Sequence, residues 1–211
     1  MADTQIKICG LTTPEAIDAA VAARATHIGL VHYPPSPRHV TLEQAMRLRV
    51  RVPREITVVL LLDNDQPQPT LQAIQAVKPD VVQFHGSETP EWLSILKQAG
   101  AKELWKAIGV KNAEGLDKAK RFKGAADMLL YDAPAHKQPG GQGLAVDWSL
   151  FDGFHHEMPW GLAGGLTPDN VAEAIRLTGA PLVDASTGLE SGPGIKDLGR
   201  IADFCRAARA A

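Results

Sequence analysis

The 211-residue sequence has only two cysteines, Cys9 and Cys205, at opposite ends of the chain and without metal-type spacing. With no apolar signal segment ahead of Cys9, the pair argues against a secreted, disulfide-stapled chain and predicts a reduced, cytoplasmic setting. Long apolar runs are also lacking. The longest, such as Ile56 to Leu62, are far too short to span a bilayer and fit a buried strand, so no membrane is expected. No dense run of one charge exists either: 22 Lys and Arg stand against 24 Asp and Glu, a formal net charge of −2, with the basic residues scattered. Nucleic acid is therefore a poor partner. A small anionic molecule stays compatible, because backbone amides or one Arg make a site locally positive. The dinucleotide fingerprint G-x-G-x-x-G is missing after the first apolar segment, where Cys9-Gly10-Leu11-Thr12 stands, which disfavours an open doubly wound sheet.

What is present is an ordinary globular composition, 45% hydrophobic and 22% charged, sized for one domain over residues 1–211. Short apolar, β-rich runs alternate eight times with helical patterns, which predicts parallel strands joined by crossover helices. The strands are expected at 5–9, 27–31, 56–62, 81–84, 104–108, 128–132, 160–163 and 181–185. Helical spacing marks Pro14–Arg24, Glu88–Gln98, Pro168–Leu177 and Lys196–Ala208. Thr13-Pro14 and Thr167-Pro168 set a capping hydroxyl before a first-turn proline, so helices are expected to start there. Eight units suggest closure into an α/β class fold, a single (β/α)8 TIM barrel, and attention goes to the carboxyl ends of the strands.

In strand one the period of two puts Lys7 and Cys9 on the inward face, with Ile6 and Ile8 against helices. Cys9 serves as a base only if its thiol loses its proton readily, which Lys7 or a helix start could promote; otherwise it is a packed cysteine. Strand six ends in Asp132, either a proton carrier or a cap for the next loop. Strand seven ends in Gly164-Gly165 and strand eight in Asp184-Ala185-Ser186-Thr187-Gly188, placed where barrels commonly hold a phosphate. After strand two a proline-stiffened loop holds Arg38, whose fork suits a planar carboxylate. Gln83 and His85 share one face at the end of strand four. The loop from Ala133 to Ala145, with Gly140, Gly141 and Gly143, reads as a lid. His155-His156 lacks a partner at metal-ligand spacing and is expected on the surface, so no metal is proposed.

Taken in order, Lys7-Ile8-Cys9-Gly10, Ser36-Pro37-Arg38, Gln83-Phe84-His85-Gly86, Asp132, Gly164-Gly165-Leu166 and Asp184-Ala185-Ser186-Thr187-Gly188 resemble the phosphoribosylanthranilate isomerase family, essentially end to end. The resemblance implies an Amadori rearrangement in tryptophan biosynthesis, without cofactor or metal, acting on a small phosphosugar substrate. On it, Cys9 is the general base and Asp132 the general acid. Arg38 would hold a carboxylate, Gly164, Gly165, Ser186 and Thr187 the phosphate, and Asp184 that loop or the ribose. Lys7, Gln83, His85 and Gly143 join them as substrate contacts. His32, Pro35 and Gly141-Gln142-Gly143-Leu144 depart from the family pattern. Two other readings are a related histidine-pathway isomerase, whose base at the end of strand one is usually an aspartate, and a barrel that binds a phosphosugar without catalysis. Monomer and homodimer both stay open.

Overall fold

In the computed structural model, which describes residues 4–63, 66–133 and 146–211, eight parallel strands close in sequence order, the last pairing with the first. They are β1 (Gln5–Cys9), β2 (His27–Val31), β3 (Thr57–Leu62), β4 (Val81–Phe84), β5 (Leu104–Gly109), β6 (Met128–Asp132), β7 (Trp160–Leu162) and β8 (Leu182–Ala185). Each boundary lies within a residue or two of the sequence expectation. Around them run α1 (Pro14–Ala22), α2 (Leu42–Arg51), α3 (Pro67–Val77), α4 (Pro90–Gln98), α5 (Ala113–Ala119), α6 (Val171–Thr178) and α7 (Leu198–Arg209). A short hairpin, β9 (Glu190–Gly192) with β10 (Ile195–Lys196), follows β8. Among the described residues the β6–β7 connection carries only a 3-10 turn, Trp148–Phe151.

The strand period of two separates three apolar layers. Outward residues such as Ile6, Ile8, Ile28, Leu30, Val58, Leu60 and Phe84 join the helices in one large cluster. Inward residues Val59, Val81, Trp105, Ala107, Met128, Leu130, Ala163 and Leu182 fill the barrel. Cys9, Val31 and Leu61 form a small apolar group of their own, with Tyr33 packed against it. Lys7 also points inward; directly opposite Asp184 in the register, its Nζ donates to Oδ2 at 2.7 Å with both side chains buried. This pair spans the seam where the barrel closes.

Four local expectations are revised. Thr13 does cap α1, accepting from the Ala16 amide. Thr167-Pro168, however, precedes α6 by a turn: Asn170 Oδ1 accepts from the Thr167 amide and its amide group donates to the Gly165 carbonyl, so this side chain ties up the segment and the helix begins at Val171. Helix α4 starts at Pro90, behind its cap Thr89, and leaves Glu88 buried beside Lys106 at 3.3 Å. Helix α7 starts at Leu198 behind Asp197, because Lys196 pairs in the hairpin instead. His155 is exposed as expected, but His156 stacks on Trp160 at 3.9 Å between centroids and 4° between planes, inside an aromatic group with Phe151 and Tyr131.

Candidate active site

At the carboxyl ends of the strands opens a cavity of about 530 Å³. Cys9, Arg38, Gln83, His85, Asp132, Gly164, Gly165, Asp184, Ser186 and Thr187 all line it, so ten of the sequence-derived candidates meet at one place. Lys7 lies beneath, held by Asp184. Gly143, with the lid segment around it, falls outside the described residues. The cavity also brings in Ser36, Asp63, Tyr33, Leu166 and Gly188, which the sequence reading had not selected as site residues. Asp63 carried a usable signal: like Asp132, it is a carboxylate closing an otherwise apolar strand.

Cys9 sits nearly buried at the end of β1. Burial pushes its thiol above the ordinary range; Lys7 and Lys196 pull it down and the Asp184 carboxylate pushes it up again. Lys7 therefore moderates the thiol without reversing the direction, contrary to the simple expectation from sequence. Burial also pulls Lys7 down, but Asp184 and Cys9 together outweigh it and keep the ammonium charged. The cavity floor holds two buried acceptors without a hydrogen-bond partner among the described residues, Asp184 Oδ1 and Gln83 Oε1. Orphan acceptors facing a cavity are completed by a ligand that brings O–H or N–H donors.

Across the barrel, at the end of β6, Asp132 Oδ1 accepts from the Ala133 amide at 2.7 Å, and Oδ2 stands 3.5 Å from His85 Nε2. Burial raises the Asp132 pKa, His85 lowers it and the nearby Asp184 carboxylate raises it, with a net upward direction that favours the protonated acid. The β7 loop reaches this carboxylate through Gly164, whose φ is +80°. A Cβ there would run into the Ala133 amide nitrogen and lie 2.9 Å from Asp132 Oδ1, so only glycine lets the backbone pass.

Between β7 and β1 stands the β8 loop, with Ser186, Thr187 and Gly188 beside Gly164 and Gly165. Exposed amides and hydroxyls at such a turn suit an anion. Arg38 reaches over from the β2 loop: Nε and Nη2 grip Glu190 at 2.6 and 2.8 Å, and Nη2 also donates to Thr187 Oγ1 at 3.1 Å. A second buried cation, Lys196, donates to the Ser186 carbonyl at 3.0 Å, to Ser186 Oγ at 3.2 Å and to Glu190 Oε1 at 2.8 Å. Glu190 and Lys196 gave no signal in the sequence, where each reads as an ordinary surface charge.

The fold and the site together define a (β/α)8-barrel enzyme with a carboxyl group, a thiol and a glycine- and hydroxyl-bearing loop pair around one mouth. A family model described as N-(5'phosphoribosyl)anthranilate (PRA) isomerase matches residues 6–207. The N-(5'-phosphoribosyl)anthranilate isomerase of Erythrobacter litoralis is 60% identical, over 98% of this chain and 99% of its own. That of Parvibaculum lavamentivorans is 44% identical over 98% and 99%. Among solved structures, phosphoribosyl anthranilate isomerase from Thermotoga maritima superposes with a TM-score of 0.87 at 33% identity, covering 99% of this chain and 100% of that one. A phosphoribosyl anthranilate isomerase in complex with reduced 1-(o-carboxyphenylamino)-1-deoxyribulose 5-phosphate gives 0.85 at 31%, with the same coverage. The chain belongs to the N-(5'-phosphoribosyl)anthranilate isomerase family.

Proposed function

We propose that this chain, working as one barrel domain in the cytoplasm, isomerises N-(5-phosphoribosyl)anthranilate to 1-(2-carboxyphenylamino)-1-deoxyribulose 5-phosphate in tryptophan biosynthesis. The observation that carries the reading is that Cys9 and Asp132 line one cavity from strands β1 and β6, three strands apart round the ring, with the glycine and hydroxyl loops of β7 and β8 between them. An Amadori rearrangement needs such a pair, one group to give a proton and one to take it.

Asp132 gives its proton to the ring oxygen. The C1–O bond breaks as the nitrogen lone pair closes a protonated Schiff base at C1. Cys9, as thiolate, then removes the proton from C2; the C2–H electrons form the C1–C2 double bond and neutralise the nitrogen. The enolamine tautomerises to the ketone by moving its hydroxyl proton to C1. Gly164, Gly165, Ser186 and Thr187 hold the phosphate, Arg38 the carboxylate, and Asp184 and Gln83 accept from the sugar hydroxyls. Anchoring both ends turns binding energy into alignment of C2 against the thiolate. A raised Asp132 pKa favours the protonated acid, and a buried thiolate with a raised pKa is a stronger base although a scarcer one.

Loss of phosphoribosylanthranilate fluorescence, followed with wild type, Cys9→Ser and Asp132→Asn, tests the assignment. Turnover by wild type, with both variants reduced by orders of magnitude yet still binding a reduced product analogue, supports it. An inert wild type that binds the analogue supports the non-catalytic reading instead.

A further inference from the structure

Three charges are gathered behind the mouth, and only one of them faces it. Glu190 is 4% exposed and Lys196 2%, while Arg38 is 21% exposed and lines the cavity. The Glu190 carboxylate is shared between the two cations: Oε1 takes both Arg38 Nε and Lys196 Nζ, and Oε2 takes Arg38 Nη2 and the Gly194 amide at 3.2 Å. The triad has two positive charges and one negative, so a net positive charge is left beside the anion loop. Burying three charges at once is costly and is not needed to close this barrel, whose seam is already held by Lys7 and Asp184.

Geometry shows what the triad orders. A two-point grip through Nε and Nη2 fixes the plane of the Arg38 fork and leaves Nη1 without a partner among the described residues. Lys196 Nζ, lying against Ser186 Oγ, makes that oxygen an acceptor, so the hydroxyl proton is left for a partner on the cavity side. The same nitrogen also holds the Ser186 carbonyl, and so the path of the loop. Neither Glu190 nor Lys196 lines the cavity.

We propose that Glu190 and Lys196 are positioning residues for substrate capture: through one buried ion triad they fix the Arg38 fork and the Ser186 hydroxyl relative to each other, setting the spacing of two anionic groups that the site accepts together. The proposal rests on the placement of Arg38 and Ser186 at the substrate. It assigns the triad to binding through Arg38 and Ser186; because Lys196 also pulls the Cys9 thiol down, its effect on proton transfer is read separately, from the alkaline limb of the pH profile.

The test is steady-state kinetics of the full chain as Glu190→Gln, Glu190→Asp, Lys196→Met and Arg38→Met, with thermal unfolding of each. Losing a hydrogen bond to a charged group costs roughly ten- to hundredfold in affinity. Glu190→Gln should therefore raise KM by that order with kcat nearly unchanged, Glu190→Asp should recover part of the loss, and Lys196→Met should raise KM alike while moving the alkaline limb of the pH profile upward, since Lys196 pulls the Cys9 thiol down. Inorganic phosphate, as competitive inhibitor, should weaken with Lys196→Met. A fall in kcat at constant KM overturns the proposal, as does a KM rise matched by an equally destabilised variant far from the site, Phe204→Leu. If Arg38→Met raises KM while Glu190→Gln does not, the triad inference alone fails. If Arg38→Met leaves KM unchanged, the placement of Arg38 fails and takes the proposal with it.

Discussion

Replacing Gly29 with alanine puts a methyl group against the thiol that is assigned as base. Gly29 is the register partner of Cys9 across β1 and β2, and its carbonyl also accepts from the Gly10 and Leu11 amides. A Cβ built there lies 2.8 Å from Cys9 Sγ, 3.0 Å from its Cα and 3.2 Å from its Cβ. Comfortable contacts between such atoms need about 3.5–4.0 Å, so close to 1 Å must be found. The ladder holds both backbones, which leaves the thiol to move. Overpacking of this kind costs about 1–3 kcal/mol, equivalent to a Tm loss of about 2–12 °C in a chain of this size. A 1 Å misplacement of a reacting group costs about a hundredfold in rate. Stability alone does not separate these effects, so Gly161→Ala is the control: its Cβ would meet Leu182 Cδ2 at 2.7 Å and Leu130 Cδ1 at 3.1 Å, inside the filled barrel and away from the thiol. On heating both variants should unfold earlier, and in the fluorescence assay only Gly29→Ala should lose about two orders of magnitude in kcat. Equal kcat values for the two would refute the placement of Cys9 as a position-critical group.

The other predictions concern charge. Lys7→Met strands a buried Asp184 carboxylate and should destabilise the chain by about 3–5 kcal/mol in urea unfolding; a loss under 1 kcal/mol would show the pair to be well hydrated. His27, buried at the start of β2 next to Trp105, has its pKa lowered from 6.5 to about 4 by burial and by Lys7. The unfolded chain therefore takes up this proton first as the pH drops, and folding stability should fall between pH 6.5 and 4 by up to about 3 kcal/mol. His27→Gln should flatten part of that slope in unfolding measured at pH 7 and at pH 4.5; an unchanged slope would rule His27 out as its source. Because both Asp132 and Cys9 are raised, kcat/KM should be bell-shaped, with an acid limb above the ordinary carboxylate range and an alkaline limb above the ordinary thiol range. An alkaline limb below pH 7, after allowing for the phosphate ionisation near pH 6, would mean the thiol is depressed instead.

Strand positions were legible because alternation in a parallel barrel is enforced from both sides: a slip of one residue in β3 would exchange Leu60, among the helices, with Val59, inside the barrel. The rim carboxylate Asp132 and the paired glycines were legible for the same reason, since each interrupts an apolar strand at its end. Helix starts were less so. Thr13-Pro14 and Thr167-Pro168 look alike in sequence, and only the Asn170 side chain, folded back on Gly165 and Thr167, delays the second helix. Glu190 and Lys196 were illegible because their burial depends on Arg38, 152 residues away from Glu190 in the chain. Asp63 was overlooked although its pattern matched that of Asp132. His156 looked like half of a polar pair, and its stacking on Trp160 comes from the turn of Trp148–Phe151 that brings Phe151 alongside.

The closing seam also sets when the molecule becomes competent during its synthesis. Lys7 and Asp184 are separated by 177 residues, and β1 has no second neighbour until β8 has emerged. A growing chain that stops short of β8 exposes one open edge at β1 and another at its latest strand, with an ammonium in the barrel and no carboxylate to meet it. Until β8 has emerged the mouth therefore stays incomplete, with Cys9, Arg38 and Asp132 already made but the Ser186 and Thr187 side missing, and both edges of the partly made barrel lie open.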